Sequence, residues 1–288
     1  MRVLLELRPR SGELVVPLHY NSLLQGLVYR LMAGTAIAGF LHDRGFLRGR
    51  RSYRMFTFSR VEGRYDLVEF GERPAGPGAS RGDMAGGQAP PARKRFLRFS
   101  GPVRLTVSSP YEPVCHVIAN NALKAGEVWL GTQALEVEGV RFQTVSLPRP
   151  PLRLRARTPI TVYSTVTRQD GSRFTYYFEP RSGEFERLVA ENLVRKFEAF
   201  WGRPYDGQGV TILWRGRARP HIVRFRRGVI KGFTGVFDVE GDPELIRLGI
   251  EAGFGSKNAQ GFGLCDLCHP RAAGPERVEG VGGVDGAH

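Results

Sequence analysis

The stretch "GFGSKNAQGFG" at 253–263 gathers Gly253, Gly255, Gly261 and Gly263 around Lys257 and Asn258. Glycines admit positive φ and let backbone N–H groups approach an anion closely, and a lysine adds a point charge, so phosphate is the ligand these residue types suit. The stretch is not a P-loop, because no lysine followed by Ser or Thr succeeds the second glycine cluster. It is not a dinucleotide fingerprint either, since the spacing differs and no acidic residue lies in a strand about 20 residues on. A flexible turn before a last strand would use the same glycines, and composition leaves both uses open. The neighbouring "CDLCH" (Cys265, Cys268, His269) has the short form of a c-type haem attachment site. No export segment precedes it, and a zinc site would need a further ligand, for which only the separate Cys115–His116 pair offers itself. Accidental or structural cysteines are the preferred reading, and no metal or cofactor is expected.

Charge narrows the choice of partner. Lys and Arg number 42 against 28 Asp and Glu, a formal charge of +14, which implies a polyanion. The charge is also concentrated. From Arg203 to Lys231 the basic residues Arg203, Arg215, Arg217, Arg219, Arg224, Arg226, Arg227 and Lys231 meet one acid, Asp206. Between Arg44 and Arg54 there are five arginines and no acid. Solvated surfaces usually mix signs, so blocks of this kind favour a surface that tracks phosphates, with RNA and DNA both open. In "LRLRARTPITVYS" the alternation puts Arg153, Arg155 and Arg157 on one strand face. The opening "MRVLLELRPR" carries neither a signal-type apolar run nor a membrane span, and three cysteines fit a reducing compartment, so a cytoplasmic protein without a membrane is expected.

These residues need a frame, and hydrophobic periodicity supplies one. "VLLEL" alternates as a half-buried strand. Asn21 or Ser22 can cap a helix in which Leu23, Leu24, Leu27, Val28 and Leu31 form a stripe with Tyr29 at its edge. A second short helix from about Thr35 carries His42 in its last turn and stops at Gly45. "YRMFTFS" reads as a strand, and 71–95, dense in Gly, Pro and Ala, as a mobile insertion. A strand in "RFLRFSG" or "VRLTV", a helix at 112–125 and a strand at about 133–145 complete the first half. "SLPRPP" (146–151) is the expected joint. After it come the arginine strand, the helix "EFERLVAENLVRKFEAFW", strands in "VTILWRG" and "HIVRFRRGVIKGFTGVFDVEG", a helix opened by Asp242-Pro243 and stopped by Gly253, and a strand in "GFGLCDL". The order strand, helix, strand, strand, helix, strand occurs twice. The fold class expected is α+β, with two tandem ferredoxin-like units of the RNA-recognition type at 1–147 and 148–269, and a disordered tail at 270–288.

The paired "GFG…GFG" before a final strand resembles the glycine-rich signature of the RAMP superfamily. The run "VPLHYNSLLQGLVYRLM", followed by "FLHDRGF" and "MFTFS", is similar to the CRISPR repeat-processing endoribonucleases of that superfamily, the Cas-six type. The resemblance covers most of 1–268. It implies a metal-independent endoribonuclease that cuts precursor CRISPR RNA within each repeat, with Tyr29 and His42 where the family has its catalytic tyrosine and histidine. The family's lysine is replaced by Arg54, which suits an electrostatic role, because a guanidinium holds charge but does not give up a proton at ordinary pH.

RNA supplies the nucleophile, the 2′-hydroxyl beside the scissile phosphate, so the protein must align it, handle two protons and stabilise the phosphorane. Histidine titrates near neutrality, and a place at a helix C-terminus points His42 toward general acid for the 5′-oxygen, with Tyr29 orienting or deprotonating the hydroxyl. His19, His116 and His221 are the reserve candidates. Arg153, Arg155, Arg157, Arg224, Arg226, Arg227 and Lys231 are expected to bind RNA together with the glycine loop. The expected partners are CRISPR repeat RNA, a CRISPR effector complex and a second copy of the chain held through the first-domain helices. Two other readings compete: a non-cleaving RNA-binding subunit, and a nucleotide- or haem-binding redox protein built on the glycines and "CDLCH".

Overall fold

A computed structural model describes residues 1–70, 94–167, 169–226 and 228–268. The first half runs β1 (Arg2–Pro9), β2 (Glu13–Pro17), α1 (Asn21–Met32), α2 (Ala36–Gly39), a π-helical turn (Phe40–Arg44), β3 (Phe46–Arg48), β4 (Arg51–Tyr53), β5 (Thr57–Phe58), β6 (Glu62–Phe70), β7 (Lys94–Ser108), α3 (Glu112–Ala125), β8 (Glu127–Leu130) and β9 (Gln133–Gln143). The second half runs β10 (Leu152–Ala156), β11 (Tyr163–Thr167), β12 (Arg173–Tyr177), α4 (Glu184–Trp201), β13 (Val210–Phe225), β14 (Gly228–Gly241), α5 (Pro243–Ala252), a 3-10 turn (Asn258–Gln260) and β15 (Cys265–Leu267).

Both halves have the ferredoxin-like plan. In the first sheet β1 lies between β7 and β9, and β6 pairs with β7. In the second, the order is β13-β14-β10-β15. The first strand of each repeat is therefore central, flanked by the third and fourth, with the second at the edge. Alternation explains which faces are buried. Val3, Leu5 and Leu7 of β1 pack into one core with Leu24, Leu27 and Val28 of α1 and Ile118 of α3. Leu152, Leu154 and Ala156 of β10 pack into another with Phe185, Val189 and Leu193 of α4 and Leu245 and Ile246 of α5. The halves interlock: Met55 belongs to the second core, and Ala259 packs against the first.

Several boundaries differ from the sequence reading. The strand expected in "YRMFTFS" is broken into β4 and β5, because Met55 takes φ +50° between them. The two alternatives "RFLRFSG" and "VRLTV" are one continuous strand, β7, which also absorbs residues 94 and 95 of the expected insertion. The strand expected at "VTILWRG" continues through "HIVRF" as β13, and the single strand expected at "HIVRFRRGVIKGFTGVFDVEG" is divided between β13 and β14 by a turn at which Arg226 takes φ +53°. Strands β2, β3, β6, β8, β11 and β12 went unread. Residues 71–93 of the expected insertion, Arg227, and 269–288 with His269 and the expected tail lie outside the described residues. No described helix is long and apolar enough to cross a membrane.

Candidate active site

Helix α1 buries Leu24, Leu27, Val28 and Leu31 and leaves Tyr29 half-buried at the edge of that stripe, its ring edge-on to Phe56 at 5.7 Å. Asn21 does not cap the helix with its side chain, as the sequence suggested. It is the first helical residue, and its amide instead donates to the carbonyl of Gln260 at 2.9 Å, on the glycine loop. Burial raises the Tyr29 phenol above its ordinary pKa, against the pull of the Arg54 guanidinium nearby. Tyr29 is thus a neutral hydroxyl at physiological pH, able to donate or accept a hydrogen bond.

His42 occupies the last turn of the helical piece that stops at Gly45, as read, and that turn is π-helical and continues α2. Thr35 caps α2 by accepting from the Ala38 N–H at 3.2 Å, and Gly45 ends the turn at φ +64°. A Cβ on Gly45 would meet an Arg54 guanidinium nitrogen at 2.6 Å and the Tyr53 carbonyl at 2.7 Å, so this position requires glycine. The His42 ring is 78% exposed, 6.4 Å from the Tyr29 ring and nearly perpendicular to it. Its Nδ1 lies 2.7 Å from Asp43 Oδ1. A carboxylate only accepts, so Nδ1 carries the proton and Nε2 is the free nitrogen. Orientation by Asp43, a neighbour the sequence reading passed over, adds to the helix-end argument for His42. Arg54 spans back to the same turn, donating to the carbonyls of His42 at 2.9 Å and Arg44 at 3.3 Å and to Ser52 Oγ.

The glycine loop comes from the far half of the chain. Most of its glycines serve close packing. A Cβ on Gly261 would stand 2.6 Å from the Phe58 ring and 2.9 Å from the Asn21 amide, and one on Gly263 would stand 2.0 Å from the Phe254 carbonyl, both at strongly positive φ. The loop is fastened from several sides. Gln25 donates to the Ala259 carbonyl at 2.7 Å, Thr57 to the Phe262 carbonyl at 2.9 Å, and Asn258 to the carbonyls of Phe254 and Phe262. From α4, the wholly buried Lys196 donates to the carbonyls of Gly253 and, at 2.9 Å, Gly255. Burial pushes its ammonium down to about 7, the Cys265 thiol nearby opposing weakly. Among the described residues, the backbone N–H groups of Lys257, Asn258 and Ala259 have no protein acceptor, and all three residues face the cleft described next.

Tyr29, His42, Arg54, Gly255, Lys257 and Asn258 line one cleft of about 1150 Å3 between α1, the His42 turn, α4, the β11 strand and the glycine loop. Arg51, Arg54, Arg195, Arg226 and Lys257 bring cationic side chains to it, and among the described residues no Asp or Glu lines it. Other expected residues lie elsewhere. Gly253, Gly261 and Gly263 sit behind the cleft as packing positions. Arg153 and Arg155 point from the face of β10 opposite the helix-side core, where Arg153 is paired with Asp238 at 2.8 Å. Arg157 lies past the end of β10 and is paired with Glu62 and Asp266. Lys231 is paired with Glu179 at 2.5 Å, and Arg224 stands beside His19. None of His19, His116 and His221 lines the cleft. Cys265 and Cys115 are buried core residues, and Cys265 faces the Gly263 carbonyl at 3.5 Å.

The sequence reading missed Asn192, Arg195, Lys196, Tyr53 and Tyr163, which also line the cleft. One signal was present. Asn192 and Lys196 stand one turn apart on the otherwise apolar face of α4, and a polar pair there is out of place in a simple core helix.

Residues 148–267 match the family described as CRISPR associated protein Cas6, C-terminal. The chain is 25% identical over 268 residues to the CRISPR-associated endoribonuclease Cas6 1 of Methanocaldococcus jannaschii, covering 92% of this chain and 91% of that protein. It is likewise 25% identical over 273 residues to the CRISPR-associated endoribonuclease Cas6 of Pyrococcus furiosus, covering 92% and 89%. The solved structure of a Cas6-related protein from Pyrococcus furiosus superposes with a TM-score of 0.73 at 19% identity, covering 93% of this chain and 98% of that one, which shows a shared fold. The C-terminal half thus matches the Cas6 model, and the likeness to Cas6 endoribonucleases runs through both ferredoxin-like units of the chain.

Proposed function

We propose that the protein is an endoribonuclease that cuts precursor CRISPR RNA within its repeats by attack of the RNA's own 2′-hydroxyl, without metal. The single observation that carries this reading is the acid-free cleft in which His42, Tyr29 and Arg54 of the first half meet Lys257 and the open amides of the glycine loop. Its cations and amides suit a phosphodiester held at several oxygens. The family relatives described above are themselves endoribonucleases.

The protein's part in the reaction is small. The 2′-oxygen forms a bond to phosphorus while the bond to the 5′-oxygen breaks. His42, held by Asp43 through Nδ1, enters the step as the imidazolium, gives its Nε2 proton to the departing 5′-oxygen and is left neutral, and the 2′-hydroxyl proton passes to water. Tyr29, as a neutral phenol, orients the attacking group by a hydrogen bond and is not the base. Arg54 holds the charge that grows on the phosphate oxygens and, through the His42 carbonyl, fixes the turn that carries the imidazole. The products are a 2′,3′-cyclic phosphate and a 5′-hydroxyl end. On this reading 1–147 and 148–269 are separate domains whose junction is the site. A second copy of the chain would use the face where Leu123 and Trp129 are exposed beside α3 and β8, and a CRISPR effector complex would receive the product.

The test uses repeat RNA identified by sequencing RNA that copurifies with the protein. In EDTA, the all-ribose repeat is expected to be cut, and a repeat with one 2′-deoxy nucleotide just upstream of the cut is expected to bind and stay intact. Continued cutting of the deoxy RNA would reject the mechanism. Binding without cutting of either RNA would favour the non-catalytic RNA-binding subunit.

A further inference from the structure

Six buried side-chain polar atoms have no hydrogen-bond partner among the described residues, and three belong to residues that line the cleft: the Tyr53 hydroxyl, Asn192 Oδ1 and Gln260 Oε1. The other three, Arg2 Nε, Arg98 Nε and Trp214 Nε1, are nitrogen donors of residues that do not line it. Buried polar atoms are nearly always satisfied, so three around one cavity mark a ligand that completes their bonds. Asn192 is only 7% exposed.

The chemistry of the missing ligand group follows from the atoms. Two of the three are amide oxygens, which only accept. A phosphate cannot satisfy them, since its oxygens are acceptors as well, and the cations of the cleft already suit phosphate. What is missing is a group with N–H or O–H donors. In RNA these are ribose hydroxyls and base edges. Adenine, cytosine and guanine each carry an exocyclic amino group with two N–H bonds, whereas uracil offers one N–H between two carbonyls. The backbone that carries the acceptors is also held in place. Lys196, one turn beyond Asn192 on α4, ties that helix to the glycine loop through the carbonyls of Gly253 and Gly255, and Asn21 holds the Gln260 backbone at 2.9 Å.

We infer that the α4 and glycine-loop walls of the cleft form a nucleobase subsite, in which Asn192 and Gln260 accept from the exocyclic amino group of adenine, cytosine or guanine and disfavour uracil. The inference rests on the RNA reading given above and adds base selection to it.

Oligocytidine and oligouridine of equal length, labelled at one end, provide the test, because they share ribose and phosphate and differ at the base edge that carries the amino group or the carbonyl. By fluorescence anisotropy with the full chain, oligocytidine is expected to bind about fivefold to tenfold more tightly than oligouridine. Asn192→Leu and Gln260→Leu are each expected to bring that ratio toward one. Equal affinity in the unaltered protein would overturn the inference, as a ribose donor would give. So would a ratio that survives both substitutions. If Asn192→Leu loses its thermal unfolding transition, Gln260→Leu, on the loop and outside both cores, decides alone. Binding of neither oligomer would overturn the subsite together with the RNA reading, an outcome distinct from equal binding.

Discussion

The guanidinium of Arg54 donates to the backbone carbonyl of His42 at 2.9 Å, so the residue proposed to hold phosphate charge is also a brace for the turn that carries the imidazole. A fork of N–H donors can reach the His42 and Arg44 carbonyls together, which a single ammonium does less well. Arg54→Ala is expected to slow single-turnover cleavage by about a hundredfold or more, and Arg54→Lys to restore part of the loss. Equal rates for Arg54→Lys and the unaltered protein would show that the brace is dispensable.

Gly261 has φ +83°, and a Cβ there would stand 2.6 Å from Phe58 and 2.9 Å from Asn21. Gly261→Ala is expected to destabilise the protein by about 1–3 kcal/mol, from backbone strain plus overpacking where the two halves meet. Chemical denaturation measures this, and an unchanged midpoint would mean that the loop does not need this close approach.

Lys196 gives a pH signature. Its ammonium titrates at about 7 in the fold because burial disfavours the charge, against an ordinary 10.5. Between these values the unfolded chain binds a proton that the folded chain does not, so this group makes stability rise with pH across that window and adds no slope well below it. Cys265 beside it is held as a neutral thiol, raised well above 9 by burial. Comparing unfolding free energies of the unaltered protein and Lys196→Met from pH 6 to pH 10, values chosen to bracket that window, the unaltered protein is expected to gain on the variant as pH rises. Parallel curves would place the ammonium in water.

The cleft's cations set the salt dependence of RNA binding. Lys257 stands with its ammonium 4.8 Å from the centre of the Tyr163 ring, and Arg226 lines the same cleft, neither in an ion pair among the described residues. Each is expected to contribute about 0.7 to the slope of log affinity against log salt for single-stranded RNA, so Lys257→Ala and Arg226→Ala should each flatten it by about that much. A slope unchanged in both would mean that phosphates do not reach the cleft.

Much of the frame was legible because hydrophobic periods there are clean. The stripe of α1, the alternation of β1 and the Asp242-Pro243 start of α5 all appear as read, with Asp242 accepting from the Glu244 N–H at 2.8 Å. The hairpin β11–β12 was not legible, since Tyr163–Thr167 is exposed along its whole length and so shows no alternation of burial. The broken strand at Met55 depends on a positive φ at a residue type that gives no local sign of it. For the candidate site, motif resemblance pointed to residues that the fold does bring together. It could not tell which arginines face the cleft, because Arg153 and Arg226 look alike in sequence and differ in the sheet face or turn that carries them. Nor could it show that most loop glycines are packing positions, as that depends on Phe58 and Asn21 from a distant part of the chain.

The central claim is that the exposed imidazole at the rim of this cleft transfers a proton to cleaved RNA. Rate and affinity measured together for His42→Ala on copurified repeat RNA in EDTA test it most directly. The account predicts cleavage lowered by about a hundredfold or more with binding within a few-fold of the unaltered protein. Cleavage at an unaltered rate would contradict it.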